Sequence, residues 1–67
     1  MDEITSEQIR QIRQKLKLSQ TAFAEIVGVA FTTINRWENG HTKPHRVACR
    51  RIWEIEKTIE DKKLISN

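Results

Sequence analysis

The sequence predicts an all-α domain of four or five short helices. Three features carry that reading. Apolar residues recur at helical spacing in several segments, and strict alternation survives nowhere for more than a few positions. Ser, Gly and Pro also fall where helices would start and stop. A chain of 67 residues holds one domain at most, so residues 1–67 are read as a single unit.

The first helix opens at Thr5 or Ser6. Thr5 and Gln8 have the spacing of a capping box, in which each side chain satisfies the other residue's backbone N–H. Ile9, Ile12 and Leu16 then follow one face, with Arg10, Arg13, Gln14 and Lys17 between them. Ser19 suits the N-cap of a second helix over residues 20–27, because its hydroxyl can accept from an unpaired amide at the helix start. Gly28 ends that helix, since a residue without a Cβ enters the left-handed region cheaply. A third helix is expected from about Ala30 or Phe31 to Asn39, stopped by Gly40 with Pro44 beyond. Residues 45–63 read as helical again, with Ala48, Ile52, Ile55 and Ile59 forming one apolar stripe. The last residues, Ile65, Ser66 and Asn67, are expected to fray.

Composition excludes several function classes. Hydrophobic residues make up 37% and charged residues 31%, too apolar for a disordered tail. The net charge of +3 suits a polyanionic partner, although ordinary domains share it. No apolar run approaches a membrane span, and the start Met-Asp-Glu-Ile lacks the form of a signal peptide. A cytoplasmic location is expected. One cysteine rules out an internal disulfide and suits a reducing compartment. His41, His45 and Cys49 are spaced four apart, but Pro44 breaks the segment and no fourth ligand is near, so no metal is expected. Two glycines cannot build a phosphate cradle, and no nucleophile–base set has credible spacing. The chain is read as no enzyme, with no cofactor.

Residues 20–39 work as one unit. Phe23, Val27, Val29, Ile34 and Trp37 supply the apolar positions, Ala24 a small residue at a close crossing, and Gly28 the sharp turn. Two short helices meeting at a steep angle need that set, which is a helix-turn-helix. Leu18-Ser-Gln-Thr-Ala-Phe-Ala-Glu-Ile-Val-Gly-Val, then Thr33-Ile-Asn-Arg-Trp-Glu-Asn-Gly and Pro44, resembles the phage repressor/Cro class of helix-turn-helix regulators, also called the xenobiotic-response-element class. The resemblance runs from about Ile9 to Ile55. It implies a compact repressor-like fold that binds double-stranded DNA in the bacterial or phage setting and regulates transcription, as a repressor, with the helix over 30–39 in the major groove. It further implies two-fold dimers on palindromic operators.

The third helix can also be read from its residues. Ile34 and Trp37 face inward, leaving Phe31, Thr32, Asn35 and Arg36 on the opposite face with no carboxylate among them. Arg36 suits guanine O6/N7 and Asn35 suits adenine; Phe31 or the Thr32 methyl suits a thymine methyl. A Phe31 half-buried at the helix start and a merely solvated Asn35 are the competing readings. Gln20 offers an amide at a helix start, and Asn39, His41, Thr42 and Lys43 lie just past the third helix. The resemblance implies that Gln20, Asn39 and the basic loop residues grip phosphates, and Arg46, Arg50 and Arg10 are further candidates. Residues 10–17 hold four basic residues and no acid, and residues 36–51 hold five basic residues and one acid, Glu38. The resemblance pairs Glu38 with Arg13. It also expects Ser or Thr where Ala30 stands, so a cap worth about 1 kcal/mol and one backbone contact are missing.

Cys49 and Trp53 lie beside the apolar stripe of the last helix and are candidates for a dimer surface, with core packing as the alternative. A protein-partner reading is also open, because Arg36-Trp-Glu-Asn-Gly with Pro44-His45 is similar to some helix-turn-helix antitoxins, which bind a toxin and repress their own operon.

Overall fold

The computed structural model describes residues 3–65, with side chains through residue 59. Four helices account for the described fold: α1 (Ser6–Lys15), α2 (Gln20–Val27), α3 (Phe31–Glu38) and α4 (Arg46–Ile65). The expected fraying of Ser66 and Asn67 lies outside the described residues, while Ile65 closes α4.

Local chemistry sets most helix ends. The Thr5 hydroxyl accepts from Gln8 N at 3.1 Å and Gln8 Oε1 accepts from Thr5 N at 2.9 Å, a complete capping box. Ser19 Oγ accepts from Ala22 N at 3.0 Å and starts α2. Ala30 precedes α3 with extended backbone and no side-chain cap. Both Ala30 and Asn39 flank α3 as caps and fall outside the helix itself. His45 caps α4, its Nδ1 accepting from Ala48 N at 3.3 Å.

The C-terminal ends of α1, α2 and α3 use left-handed residues. Gly28 has φ +90 and a Cβ there would meet nothing within 4 Å, so the glycine serves the backbone conformation alone. After α3, His41 N donates to Arg36 O and Gly40 N to Trp37 O, the paired bonds of a Schellman turn with Gly40 at φ +78. The same pair of bonds ends α1, from Leu18 N to Arg13 O and from Lys17 N to Gln14 O. Here the left-handed residue is Lys17, at φ 60. A non-glycine residue in that region is strained by about 1–2 kcal/mol, whereas glycine loses about 0.5–1 kcal/mol more chain entropy. Lys17→Gly should therefore raise stability by up to about 1 kcal/mol, read as a higher midpoint in thermal melts. A lowered midpoint would show that the Lys17 side chain contributes more than its backbone strain removes.

The helices close around one core. Ile9 and Ile12 from α1, Phe23, Ala24 and Val27 from α2, and Ile34 and Trp37 from α3 are buried against Ala48, Cys49, Ile52 and Ile55 from α4. Ile4 and Leu16 extend it at either end of α1, and Ile59 packs partly against it. Ala24 is 2% exposed, and its carbonyl accepts from both Gly28 N and Val29 N, which draws the turn tightly over it. Arg51 ties α4 to α2 by donating from Nε to Val27 O at 2.9 Å and from Nη2 to Ile26 O at 3.1 Å. A guanidinium there satisfies carbonyls that α2 leaves unpaired and meets the negative end of its dipole.

Cys49 is corrected as a dimer-surface residue. It is 2% exposed, and its thiol donates to Pro44 O at 3.5 Å inside the core. The reason is helical phase: Cys49 lies three residues before Ile52, so α4 buries a wider stripe than the one through Ala48. Trp53 is half-buried, packed against the core and bordered by Gln8, Gln11 and Ile12 of α1.

Candidate nucleic-acid interface

The burial of Ile34 (0% exposed) and Trp37 (5% exposed) sets the orientation of α3. With those two inside, Phe31, Thr32 and Arg36 are exposed and Asn35 is half-buried. Phe31 keeps 46% of its surface open. The Arg36 side chain makes no hydrogen bond or ion pair with any described residue, so its five donors remain available. Lys43 is likewise exposed and unpaired among the described residues. Asn39, His41 and Thr42 are exposed beside it, and Arg46 is exposed at the start of α4.

Behind this face lies an ion pair. Arg13 Nε donates to Glu38 Oε2 at 2.6 Å and Arg13 Nη2 donates to Glu38 Oε1 at 3.1 Å, a two-bond fork joining α1 to α3. The third guanidinium nitrogen donates to Leu18 O at 3.0 Å, so one side chain also secures the loop before α2. Glu38 is 3% exposed. The one acid in residues 36–51 is thus withdrawn from the surface, and the outer face of that segment stays free of carboxylate.

Gln20 and Asn35 are placed less simply than two outward contacts. Gln20 Nε2 donates to Glu38 Oε1 at 3.0 Å, and Asn35 Nδ2 donates to Gln20 Oε1 at 3.4 Å. Asn35 Oδ1 in turn accepts from Asn39 Nδ2 at 3.0 Å. The starts of α2 and the middle of α3 are therefore joined by side-chain amides. Spacing along the chain carries no sign of the link between α2 and α3, whose bonds span 18 and 15 positions, whereas Asn35 and Asn39 lie four apart. Arg51 is a residue that the sequence does not single out, and its two carbonyl partners lie 24 and 25 positions away.

His41, His45 and Cys49 do not converge: His45 caps α4 and Cys49 is in the core. Among the described residues no three His, Cys, Asp or Glu side chains gather as a metal-binding group. No described helix is long and apolar enough to cross a membrane.

A two-helix unit with a glycine turn, a buried first-helix alanine and an exposed polar face on its second helix defines a helix-turn-helix protein. The helix-turn-helix family model matches residues 9–52, and the chain belongs to that family. The Repressor protein C2 of Salmonella phage P22 is 40% identical over 43 residues, which are 64% of this chain and 20% of that repressor. The chain spans about a fifth of the length of the curated relative it matches.

Proposed function

We propose that this chain is a sequence-specific double-stranded DNA-binding module of a transcriptional repressor and reads the major groove with α3. The observation that carries the reading is the outer face of α3, where Phe31, Thr32 and Arg36 stand exposed without a carboxylate, directly opposite the buried Ile34 and Trp37. An exposed guanidinium with no internal partner and an open aromatic ring suit base edges and thymine methyls. Gln20 at the start of α2, Asn39, His41, Thr42 and Lys43 just past α3, and Arg46 at the start of α4 are the candidate phosphate contacts. The likeness to a phage repressor gives the same direction.

One module reads one half-site, and two modules on a palindrome place their groove helices about 34 Å apart. Binding as a two-fold pair on a palindromic operator follows, with Trp53 rather than Cys49 as the residue near the surface of α4. Selection of bound duplexes from a random pool tests both parts. The expected result is an enriched palindrome. Enrichment of no sequence would overturn specific binding, and enrichment of a lone half-site would overturn the paired mode.

Lys43 lies in the loop beyond α3, where only the DNA backbone is in reach. Lys43→Ala should weaken a preferred and a scrambled duplex by similar factors. It should also lower the dependence of log affinity on log salt by about one unit, the signature of one lost phosphate contact. Titrations at several salt concentrations measure this, and a loss confined to the preferred duplex would place Lys43 on a base instead.

A further inference from the structure

Lys17 holds a conformation that favours glycine, and its ammonium has no described partner. It follows α1 at φ 60, is exposed, and its side chain makes no hydrogen bond or ion pair with any described residue. A structural use for the charge would be the negative end of the α1 dipole, but Arg13 and Lys15 already supply cations in that last turn. Both are also paired, Arg13 with Glu38 and Lys15 with Glu56. Of the four basic residues in 10–17, Arg10 and Lys17 are the two without a described partner.

The loop that carries Lys17 is fastened to the groove helix. Leu18 O accepts from the same Arg13 guanidinium that grips Glu38 at the end of α3. Gln20, three residues after Lys17, donates to Glu38 and accepts from Asn35 of α3. Three residues span at most about 11 Å, which bounds the distance between the Lys17 and Gln20 backbones, and the four-carbon stem of lysine extends the reach. We propose that Lys17 contacts a DNA phosphate beside the one that Gln20 meets. The ligand is a single phosphate, which an ammonium holds as a point charge without reading a base. The backbone strain at Lys17 is the cost of a cation at a turn where glycine would offer none. The inference rests on the DNA-binding reading above.

The test titrates the wild type, Lys17→Gly, Lys17→Asn and Lys17→Arg against the selected duplex and a scrambled one. Glycine and asparagine both tolerate the left-handed backbone and carry no charge. Each should weaken the two duplexes by the same factor. That factor should shrink about threefold as salt rises from about 50 to 200 mM, as one lost phosphate contact requires. Lys17→Arg should bind as the wild type does. Thermal midpoints separate binding from folding, since Lys17→Gly should be more stable than the wild type yet bind more weakly. Unchanged affinity in Lys17→Gly and Lys17→Asn would overturn the proposal, and so would a loss confined to the selected duplex. If the wild type binds and Lys43→Ala alone lowers the salt dependence, the DNA-binding reading stands and the Lys17 contact falls. If the wild type binds neither duplex, the DNA-binding reading falls and takes the contact with it.

Discussion

Arg13→Ala should destabilise the fold by about 3–5 kcal/mol, the usual effect of leaving one member of a buried ion pair alone. Glu38 is 3% exposed and would keep only the Gln20 N–H as a hydrogen-bond partner. The Leu18 carbonyl would lose its donor as well, loosening the loop between α1 and α2. A core of this size supplies about 3–5 kcal/mol in total, so much of the variant should be unfolded at room temperature. Arg13→Lys should fall between the two, since an ammonium keeps the charge but not the fork. The double variant Arg13→Met/Glu38→Leu should recover the part of the loss that comes from the unpaired charge, while Leu18 O and Gln20 Nε2 remain without their partners. Urea and thermal unfolding followed by circular dichroism measure all three. A midpoint for Arg13→Ala close to that of the wild type would reduce the pair to a surface interaction worth about 0–1 kcal/mol.

That pair also marks the limit of what the sequence makes legible. Arg13 and Glu38 are 25 positions apart, and residue chemistry alone shows only an acid in a basic segment. The partner is reached through family resemblance. The helix ends are different, since their signals are local. Thr5 with Gln8, Ser19, Gly28 and Gly40 each mark a boundary within a few residues, and each sits at one. The end of α1 is the exception, because Lys17 adopts there the conformation a glycine would advertise. The stripe through Ala48, Ile52 and Ile55 fixes the inner face of α4 but not its width, which is why Cys49 reads as ambiguous and is in fact core. On the candidate interface, helical phase alone places Phe31, Thr32 and Arg36 outward. It cannot show that the Asn35 and Gln20 amides bond to each other, since that depends on how closely α2 and α3 approach.

Arg36→Ala should lose about 1–3 kcal/mol on the preferred duplex and little on scrambled DNA, the range for one specific base contact. In affinity this is on the order of tenfold to a hundredfold. Arg36 lies one residue before the buried Trp37, so the packing of that indole fixes the direction from which the guanidinium leaves α3. It is exposed and has no described partner, so substitution removes no internal bond, and the fold should remain intact. Its loss therefore reports on DNA alone, which is not true of Gln20 or Asn35. Arg36→Lys should recover little of the discrimination, because an ammonium lacks the planar fork that matches guanine O6 and N7. The measurement is titration of both variants against both duplexes at several salt concentrations. Equal weakening on the two duplexes would make Arg36 a phosphate clamp. Base reading would then fall to Phe31, Thr32 and Asn35.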